Sequence, residues 1–103
     1  MILFKQYHVP LILEGHKTQT RRRGKKRWIV GHVHQAKVSY MAKPFANLRV
    51  VAVRSEPLGR ISDADARAEG YLGRSDYLVA FEQIYGTYNP DEVVWVLDFE
   101  RVA

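Results

Sequence analysis

The segment from Val93 to Glu100 constrains the fold of this chain more than any other part of the sequence. It reads VVWVLDFE, and Asp98 is the one interruption of its apolar character before the final glutamate. A run this apolar is typical of a strand that lies inside a sheet with both faces covered. A chain of 103 residues is too short to cover a large open sheet, whereas a small barrel protects its strand edges by closing on itself. We therefore predict an α+β domain with a small β-barrel.

The remaining sequence predicts a total of about five strands and three short helices. The helices carry recognisable start and stop signals: Pro10 in the first turn of one, Ser62 as the N-cap of another, and a glycine after each end. The predicted helices span residues 9–14, 62–69 and 75–85, and the clearest predicted strands span residues 17–22, 30–40, 48–53 and 93–100.

Length and composition indicate a single domain over residues 1–103. Hydrophobic residues make up 47% of the chain, which is enough for a modest core and argues against disorder. Cysteine is absent, which excludes disulfides, thiolate metal ligands and cysteine nucleophiles and favours a cytoplasmic setting. No stretch approaches the roughly 18 apolar residues of a membrane span, so we expect no membrane partner.

Charge divides the chain into two unlike parts. Residues 1–60 carry 13 lysines and arginines against two acidic residues, whereas residues 61–103 carry three arginines against nine acidic residues. One interpretation is that the two parts attract each other within the fold. The other is that the basic part attracts a phosphate-bearing partner, and the dense run of cations between Lys17 and Arg27 favours it. A third hypothesis is a protein-interaction module that uses the acidic part as its surface.

Three segments carry a resemblance to a known family. Residues 11–22 read LILEGHKTQTRR, a helix followed by glycine, any residue, Lys-Thr, any residue, Thr and basic residues. This stretch resembles the characteristic segment of ASCH domains, residues 65–71 resemble the second marked segment of that family, and residues 94–99 resemble its last strand. The resemblance spans nearly the whole chain and implies the PUA-like β-barrel fold.

The resemblance also implies a role with RNA or a nucleoside, because PUA-like barrels commonly bind RNA. Some small ASCH proteins remove the acetyl group from N4-acetylcytidine, and another type has been described as a ribonuclease, which we favour less here. Carried over to this chain, the amidohydrolase set becomes Lys17 as general base, Thr20 as nucleophile and Glu69 as proton donor.

The chemistry of this set places conditions on the fold. A lysine is a useful base near neutral pH only if its pKa falls, and neighbouring cations with partial burial would lower the pKa of Lys17. In a strand, residues 17 and 20 point to opposite faces, so Lys17 must lie in the turn after Gly15. Purely structural roles remain open for two of these residues: Thr20 as a strand former, and Glu69 as the partner of an arginine in a salt bridge.

Ligand binding is assigned to the basic segment and to two aromatic residues. Arg21 and Arg22 suit contacts with phosphate or carbonyl groups, the alternative being pairing with the acidic part of the chain. Trp28 and Tyr71 are predicted to line the same cleft and stack on a base. The full candidate binding set is Thr18, Arg21, Arg22, Arg23, Lys25, Lys26, Arg27, Trp28 and Tyr71.

We expect neither a metal nor a cofactor. His32 and His34 share a strand face and could begin a metal site, but no third ligand is apparent. Our leading hypothesis is recognition of RNA or a modified nucleoside in a basic cleft around residues 17–22. The runner-up is removal of the acetyl group from N4-acetylcytidine, or from a related acylated base, by Lys17, Thr20 and Glu69.

Overall fold

The computed structural model describes residues 1–102 and contains one five-stranded sheet with three α-helices. The strands are β1 (Ile2–Leu3), β2 (Gln19–Arg22), β3 (Val33–Lys37), β4 (Ala46–Pro57) and β5 (Val93–Val102). The helices are α1 (Val9–Leu13), α2 (Asp63–Ala68) and α3 (Arg74–Tyr85), and two short 3₁₀ helices cover Gln6–His8 and Leu58–Arg60.

The sheet curls into a half-barrel with the strand order β1-β3-β4-β5-β2. β1 runs parallel to β3, and all other neighbours are antiparallel. The register between β4 and β5 shifts between Val50 and Ala52, which leaves Val51 as an extra residue in β4. A bulge of this kind increases the local twist of a strand and helps a sheet to curl. The predicted α+β class is confirmed.

The burial of β5 explains its apolar sequence. Val96 and Leu97 are consecutive, so they point to opposite faces of the sheet, and neither is exposed to solvent. Leu97 belongs to a core cluster between the sheet and the N-terminal segment, and Val94 belongs to a second cluster between the sheet, α2 and α3. The strand therefore lies inside the sheet, as the sequence predicts.

The helix boundaries agree closely with the start and stop signals. The Ser62 hydroxyl accepts a hydrogen bond of 3.0 Å from the Asp65 N–H and caps α2. The residue after the end of α2 is Glu69, and Gly70 follows it with φ +101°, a conformation that favours glycine. α3 begins one residue earlier than predicted because the Asp63 carboxylate accepts a hydrogen bond from the Arg74 N–H at 2.8 Å.

The strand boundaries differ more from the predictions. β2 begins at Gln19 because the backbone N–H groups of Lys17 and Thr18 donate to the carbonyls of Leu11 and Ala68 and not to a neighbouring strand. β3 begins at Val33 because the chain turns at Gly31, where φ is +94°. β4 is longer than predicted, since its pairing with β5 continues to both ends through polar residues. No helix within residues 1–102 is long and apolar enough to cross a membrane.

Candidate functional site

A cavity of about 260 Å³ lies between the N-terminal segment, β2, the end of α2 and one side of α3. Its wall combines cationic, carboxylate and aromatic side chains with a few aliphatic ones. The lining residues are Leu3, Phe4, Lys5, His8, Lys17, Thr20, Arg21, Arg22, Val38, Glu69, Tyr71, Tyr77, Phe81, Ile84 and Tyr85. The three predicted catalytic residues all belong to this wall.

Lys17 lies in the turn between α1 and β2, which meets the condition that the sequence set for it. Its backbone N–H donates to the Leu11 carbonyl at 3.0 Å, so the residue stays outside the strand. The side chain is buried, and Nζ donates to Oε1 of Glu69 at 2.9 Å, to the Glu69 carbonyl at 2.6 Å and to the Gln19 carbonyl at 3.0 Å. The ammonium group therefore has three acceptors.

Burial controls the charge state of Lys17. Desolvation is the largest influence and lowers the pKa of the ammonium group, the Glu69 carboxylate opposes it, and Arg22 and Arg21 lower the pKa further. A proton transfer along the 2.9 Å contact would convert the ion pair into a neutral amine and a neutral carboxylic acid. Those are the forms that a general base and a proton donor need.

Thr20 is buried in the wall of the same cavity. Its Oγ1 accepts a hydrogen bond from Arg22 Nε at 3.2 Å. The Thr20 hydroxyl is the acceptor in this hydrogen bond, so the hydroxyl proton is not engaged in the contact with Arg22. Thr18 differs, since it is exposed and does not line the cavity. The binding role predicted for Thr18 has no support in the geometry.

Arg21 pairs with carboxylates of the fold. Its side chain is fully buried, and Nη2 lies 2.5 Å from Glu56 Oε1 and 3.4 Å from Asp65 Oδ2. Nη1 bonds to the Gln19 side chain and lies 3.4 Å from Glu69 Oε2. Of the two roles weighed for Arg21, the structure therefore contains the salt bridge. The pairing also fixes the orientation of the Glu69 carboxylate.

A second arginine completes this carboxylate network at the surface. Arg54 Nη1 lies 2.7 Å from Glu56, and its Nη2 lies 2.8 Å from Asp65. Burial by itself would raise the pKa values of the Glu56 and Asp65 carboxyl groups. For Glu56 the hydrogen bonds and charges of Arg21 and Arg54 outweigh it. For Asp65 the hydrogen bond from Gln19, followed by the charges of Arg21 and Arg54, outweighs it. Both pKa values are lowered as a result. Both carboxylates are therefore ionised around neutral pH.

Arg22 has no such partner. Its Nη2 donates to the Leu3 carbonyl at 2.8 Å, and its guanidinium lies 5.1 Å from the centre of the Phe4 ring. No acidic side chain within residues 1–102 lies within 4.0 Å of that guanidinium. Burial lowers the pKa of Arg22, yet an arginine keeps its charge at neutral pH. The cavity wall therefore carries a largely buried cation without a counter-ion.

The rest of the basic run lies outside the cavity. Arg23 pairs with Glu92 at 2.7 Å, and Lys25, Lys26 and Arg27 are exposed on the loop between β2 and β3. Arg22, Arg23 and Arg27 line a basic depression of about 410 Å³ beside the cavity. The predicted cleft around residues 17–22 is thus divided into two half-open pockets, the cavity and this depression.

Trp28 corrects one prediction. It is 7% exposed and packs in the core cluster, with its ring edge-on to His34 at 5.4 Å. It contributes to the depression but does not line the cavity that contains Tyr71. The core takes this side chain because burial of a large aromatic ring outweighs its position next to the basic loop.

The aromatic wall of the cavity comes from the start of the loop after α2 and from α3. Tyr71, which the sequence singled out, lies 5.5 Å from Tyr77 between ring centres, and Phe81 and Tyr85 continue the row at 6.2 and 4.5 Å. A helix was predicted over residues 75–85, but Tyr77, Phe81 and Tyr85 were not among the candidate binding residues. Their spacing along the helix was the signal that could have found them.

His8 is a cavity residue that no sequence pattern singled out. It is buried between Tyr7 and Tyr71, with ring centres 4.5 and 5.5 Å away. Burial, followed by the charges of Lys17 and Arg22, lowers the pKa of His8 to about 3, so the imidazole is neutral. Its Nε2 is buried and has no hydrogen-bond partner.

The two histidines of the metal hypothesis lie away from the cavity. His32 is exposed before β3, and His34 packs against Trp28. Within residues 1–102, no group of three or more His, Cys, Asp or Glu side chains is arranged to hold a metal ion.

Comparisons with known proteins agree with this architecture. An ASCH domain from Lactobacillus crispatus JV V101 superposes with a TM-score of 0.77 at 18% identity, covering 92% of this chain and 70% of that one. ASCH from Zymomonas mobilis gives a TM-score of 0.67 at 16% identity, covering 97% of this chain and 67% of that one. This chain has the ASCH fold. A protein of Enterococcus faecalis V583 described by the family model DUF984 gives a TM-score of 0.73 at 20% identity, covering 93% of this chain and 70% of that one.

The ASCH fold confirms the expected PUA-like architecture. No family model and no curated protein matches the sequence. This chain spans about 70% of the length of the first of these ASCH structures. At identities of 16–20% the likeness establishes the fold alone, so the function has to be argued from the cavity.

Proposed function

We propose that this protein binds a modified nucleoside, or a single exposed nucleotide of an RNA, in the cavity between β2 and α3. The observation that carries the proposal is Arg22, a largely buried guanidinium that faces an aromatic-walled cavity without an acidic partner. Buried charges are normally paired, so an unpaired one at a cavity favours a ligand that completes its hydrogen bonds.

The size of the cavity supports a ligand of this class. Its volume of about 260 Å³ is just below the range of roughly 300–1,000 Å³ that is usual for small-molecule sites. One base or nucleoside is the natural upper limit for such a space, and a duplex is far too wide. RNA-binding proteins commonly take single unstacked bases into pockets and stack them on aromatic rings.

The tyrosines supply such rings. Tyr71, Tyr77 and Tyr85 all line the cavity, and Tyr77 is held in place by core packing. Burial raises the pKa values of the Tyr71 and Tyr77 hydroxyls, so both stay neutral at physiological pH. Stacking on an aromatic side chain contributes about 1–3 kcal/mol per base. The wall therefore suits a flat and uncharged ring.

A second function, hydrolysis of an amide on the bound base, is favoured by the contact of Lys17 with Glu69 in the cavity that Thr20 also lines. In this scheme, neutral Lys17 takes the Thr20 proton while Oγ1 attacks the acetyl carbonyl of N4-acetylcytidine. The tetrahedral intermediate then expels the cytosine amine, which receives a proton from Glu69. Water hydrolyses the threonine ester, releases acetate and restores the hydroxyl.

Arg22 would assist that chemistry. Its Nε already donates to Thr20 Oγ1, and this contact orients the hydroxyl. The guanidinium also places a positive charge beside the oxygen atoms that become negative in the transition state. The same residue thus fits the binding function and the hydrolytic one.

The experiment that separates the two functions measures binding and turnover in parallel. N4-acetylcytidine is incubated with the wild type and with Lys17→Ala, Thr20→Ala and Glu69→Ala, and cytidine is quantified by mass spectrometry. Thr87→Ala, an exposed threonine after α3, is the matched control. Turnover that Thr20→Ala abolishes while binding persists supports hydrolysis. Binding without turnover supports recognition alone, and absence of both contradicts the proposed function.

A further inference from the structure

The basic depression lies directly beside the cavity and shares part of its wall. Leu3, Arg22 and Tyr85 belong to the walls of both, so a ligand that fills the cavity can extend past them into the depression. Met1, Ile2, Arg23, Arg27 and Trp28 complete its lining. Three of these eight residues are arginines and none is acidic, whereas the lining of the cavity includes the carboxylate of Glu69.

The charge of this depression is only partly balanced. Arg23 has an acidic partner, Glu92, at 2.7 Å. Neither Arg22 nor Arg27 has a carboxylate within 4.0 Å in the described part of the chain. Two guanidinium groups therefore remain available to an anion that enters from the cavity or from solvent.

Aromatic rings hold the guanidiniums in place. Arg27 lies 5.7 Å from the Trp28 ring centre, and Arg23 lies 5.0 Å from the Tyr85 ring centre. The hydrogen bonds of Arg22 to Thr20 and Leu3 use Nε and Nη2, and its Nη1 makes no hydrogen bond within residues 1–102. Guanidinium groups positioned in this way bind phosphate with little further loss of side-chain freedom.

We propose that the depression is a phosphate subsite, so that the ligand is a nucleotide rather than a free nucleoside. The base lies in the cavity, and its phosphate lies in front of Arg22 and Arg27. This inference rests on the proposed function, because it needs the base to occupy the cavity. A free mononucleotide and a nucleotide within an RNA strand share this chemistry.

The test compares ligands that differ only in phosphate. Affinities for cytidine, cytidine 3′-monophosphate, cytidine 5′-monophosphate and a cytidine-containing RNA pentamer are measured by calorimetry at two salt concentrations. We expect at least one monophosphate to bind about 10-fold or more tighter than cytidine, with an advantage that shrinks at high salt. A pentamer that binds tighter still identifies the RNA strand as the source of the phosphate.

Arg27→Gln is the informative variant because Arg27 is exposed, so the fold does not depend on it. It should reduce the ratio of nucleotide to nucleoside affinity several-fold. Arg60→Gln removes the same charge from an exposed site that lines neither the cavity nor the depression, and it should leave the ratio unchanged.

The outcomes separate this inference from the proposed function. Equal affinities for cytidine and both monophosphates overturn the phosphate subsite and leave the nucleoside site intact. An equal loss in Arg27→Gln and Arg60→Gln also overturns it, because the effect would then come from net charge. If neither cytidine nor any phosphate ligand binds, the proposed function fails and the subsite fails with it.

Discussion

Arg21 and Arg22 are neighbours on β2, yet the structure gives them opposite surroundings. Arg21 is fully buried among the carboxylates of Glu56, Asp65 and Glu69. Arg22 contacts a hydroxyl, a carbonyl and an aromatic ring, and no carboxylate among residues 1–102 lies within 4.0 Å of it. One basic motif therefore contains both an arginine that is paired with carboxylates and an arginine whose charge is unpaired.

The largest expected effect is the loss of stability in Arg21→Met. Removing the guanidinium leaves Glu69 and Glu56 without their shared partner, and breaking a buried ion pair in this way costs about 3–5 kcal/mol. The free energy of unfolding, from urea denaturation, measures the loss. A change below about 1 kcal/mol would mean that the carboxylate network does not support the fold.

Arg22→Met is the matched variant for the comparison. It removes two hydrogen bonds but also relieves an unpaired buried charge, so we expect the free energy of unfolding to change by no more than about 1 kcal/mol. Its affinity for a nucleotide should fall at least 10-fold. If Arg22→Met is as unstable as Arg21→Met, the two arginines do not differ in role.

The next effect concerns His8. Its Nε2 is buried without a partner, which costs about 1–3 kcal/mol, so His8→Phe should keep or raise the stability of the free protein. A contact between His8 and the ligand would appear as weaker binding by the same variant. Loss of stability in His8→Phe would contradict this reading of the histidine.

His8 also predicts how stability depends on pH. Its pKa in the folded protein is about 3, below the 6.5 of an ordinary histidine, so folding disfavours its protonation. The contribution of neutral His8 to the free energy of unfolding is complete above pH 6.5 and is lost as the pH falls from 6.5 towards 3. The pKa values of Glu56 and Asp65 are also lowered by folding. Stability therefore falls further once the pH drops below the ordinary carboxyl pKa values of 4.5 and 3.8. Between pH 6.5 and 4.5 the stability of His8→Phe should change less than that of the wild type.

The smallest effect is expected at the helix that carries the partners of Arg21. Ser62 caps α2, which contains Asp65 and leads directly into Glu69. Ser62→Ala should lower the free energy of unfolding by about 1 kcal/mol, and thermal denaturation would detect it. Nucleotide affinity should stay the same, because Ser62 does not line the cavity. A fall in nucleotide affinity that exceeds the fall in the free energy of unfolding would show that α2 also supports the cavity.

Local signals in the sequence were sufficient for much of the fold. The apolar run of β5, the Ser62 cap and the stop at Gly70 are short-range features, and the structure contains each of them. The strand predicted over residues 17–22 began two residues too early, and Lys17 lies outside β2, as the catalytic set carried over from the resemblance required.

The different roles of Arg21 and Arg22 could not be predicted in the same way. The carboxylates around Arg21 come from Glu56 and Glu69, which are 35 and 48 positions away. Arg22 instead contacts Leu3, 19 positions away, and only the folded chain brings these residues close. Trp28 was misplaced for the same reason, since its neighbours in the core come from β3 and the N-terminal segment. His8 carried no motif, and its burial follows from tertiary packing against Tyr71.

Chemical-shift mapping tests directly whether the ligand occupies the cavity bounded by Arg22. Uniformly ¹⁵N-labelled protein is titrated with cytidine 5′-monophosphate. We expect concentration-dependent shifts at the backbone amides of His8, Thr20, Arg22 and Tyr71, with little change on the exposed side of α2. Shifts confined to the acidic surface of residues 61–103, or no shifts at millimolar ligand, would contradict it.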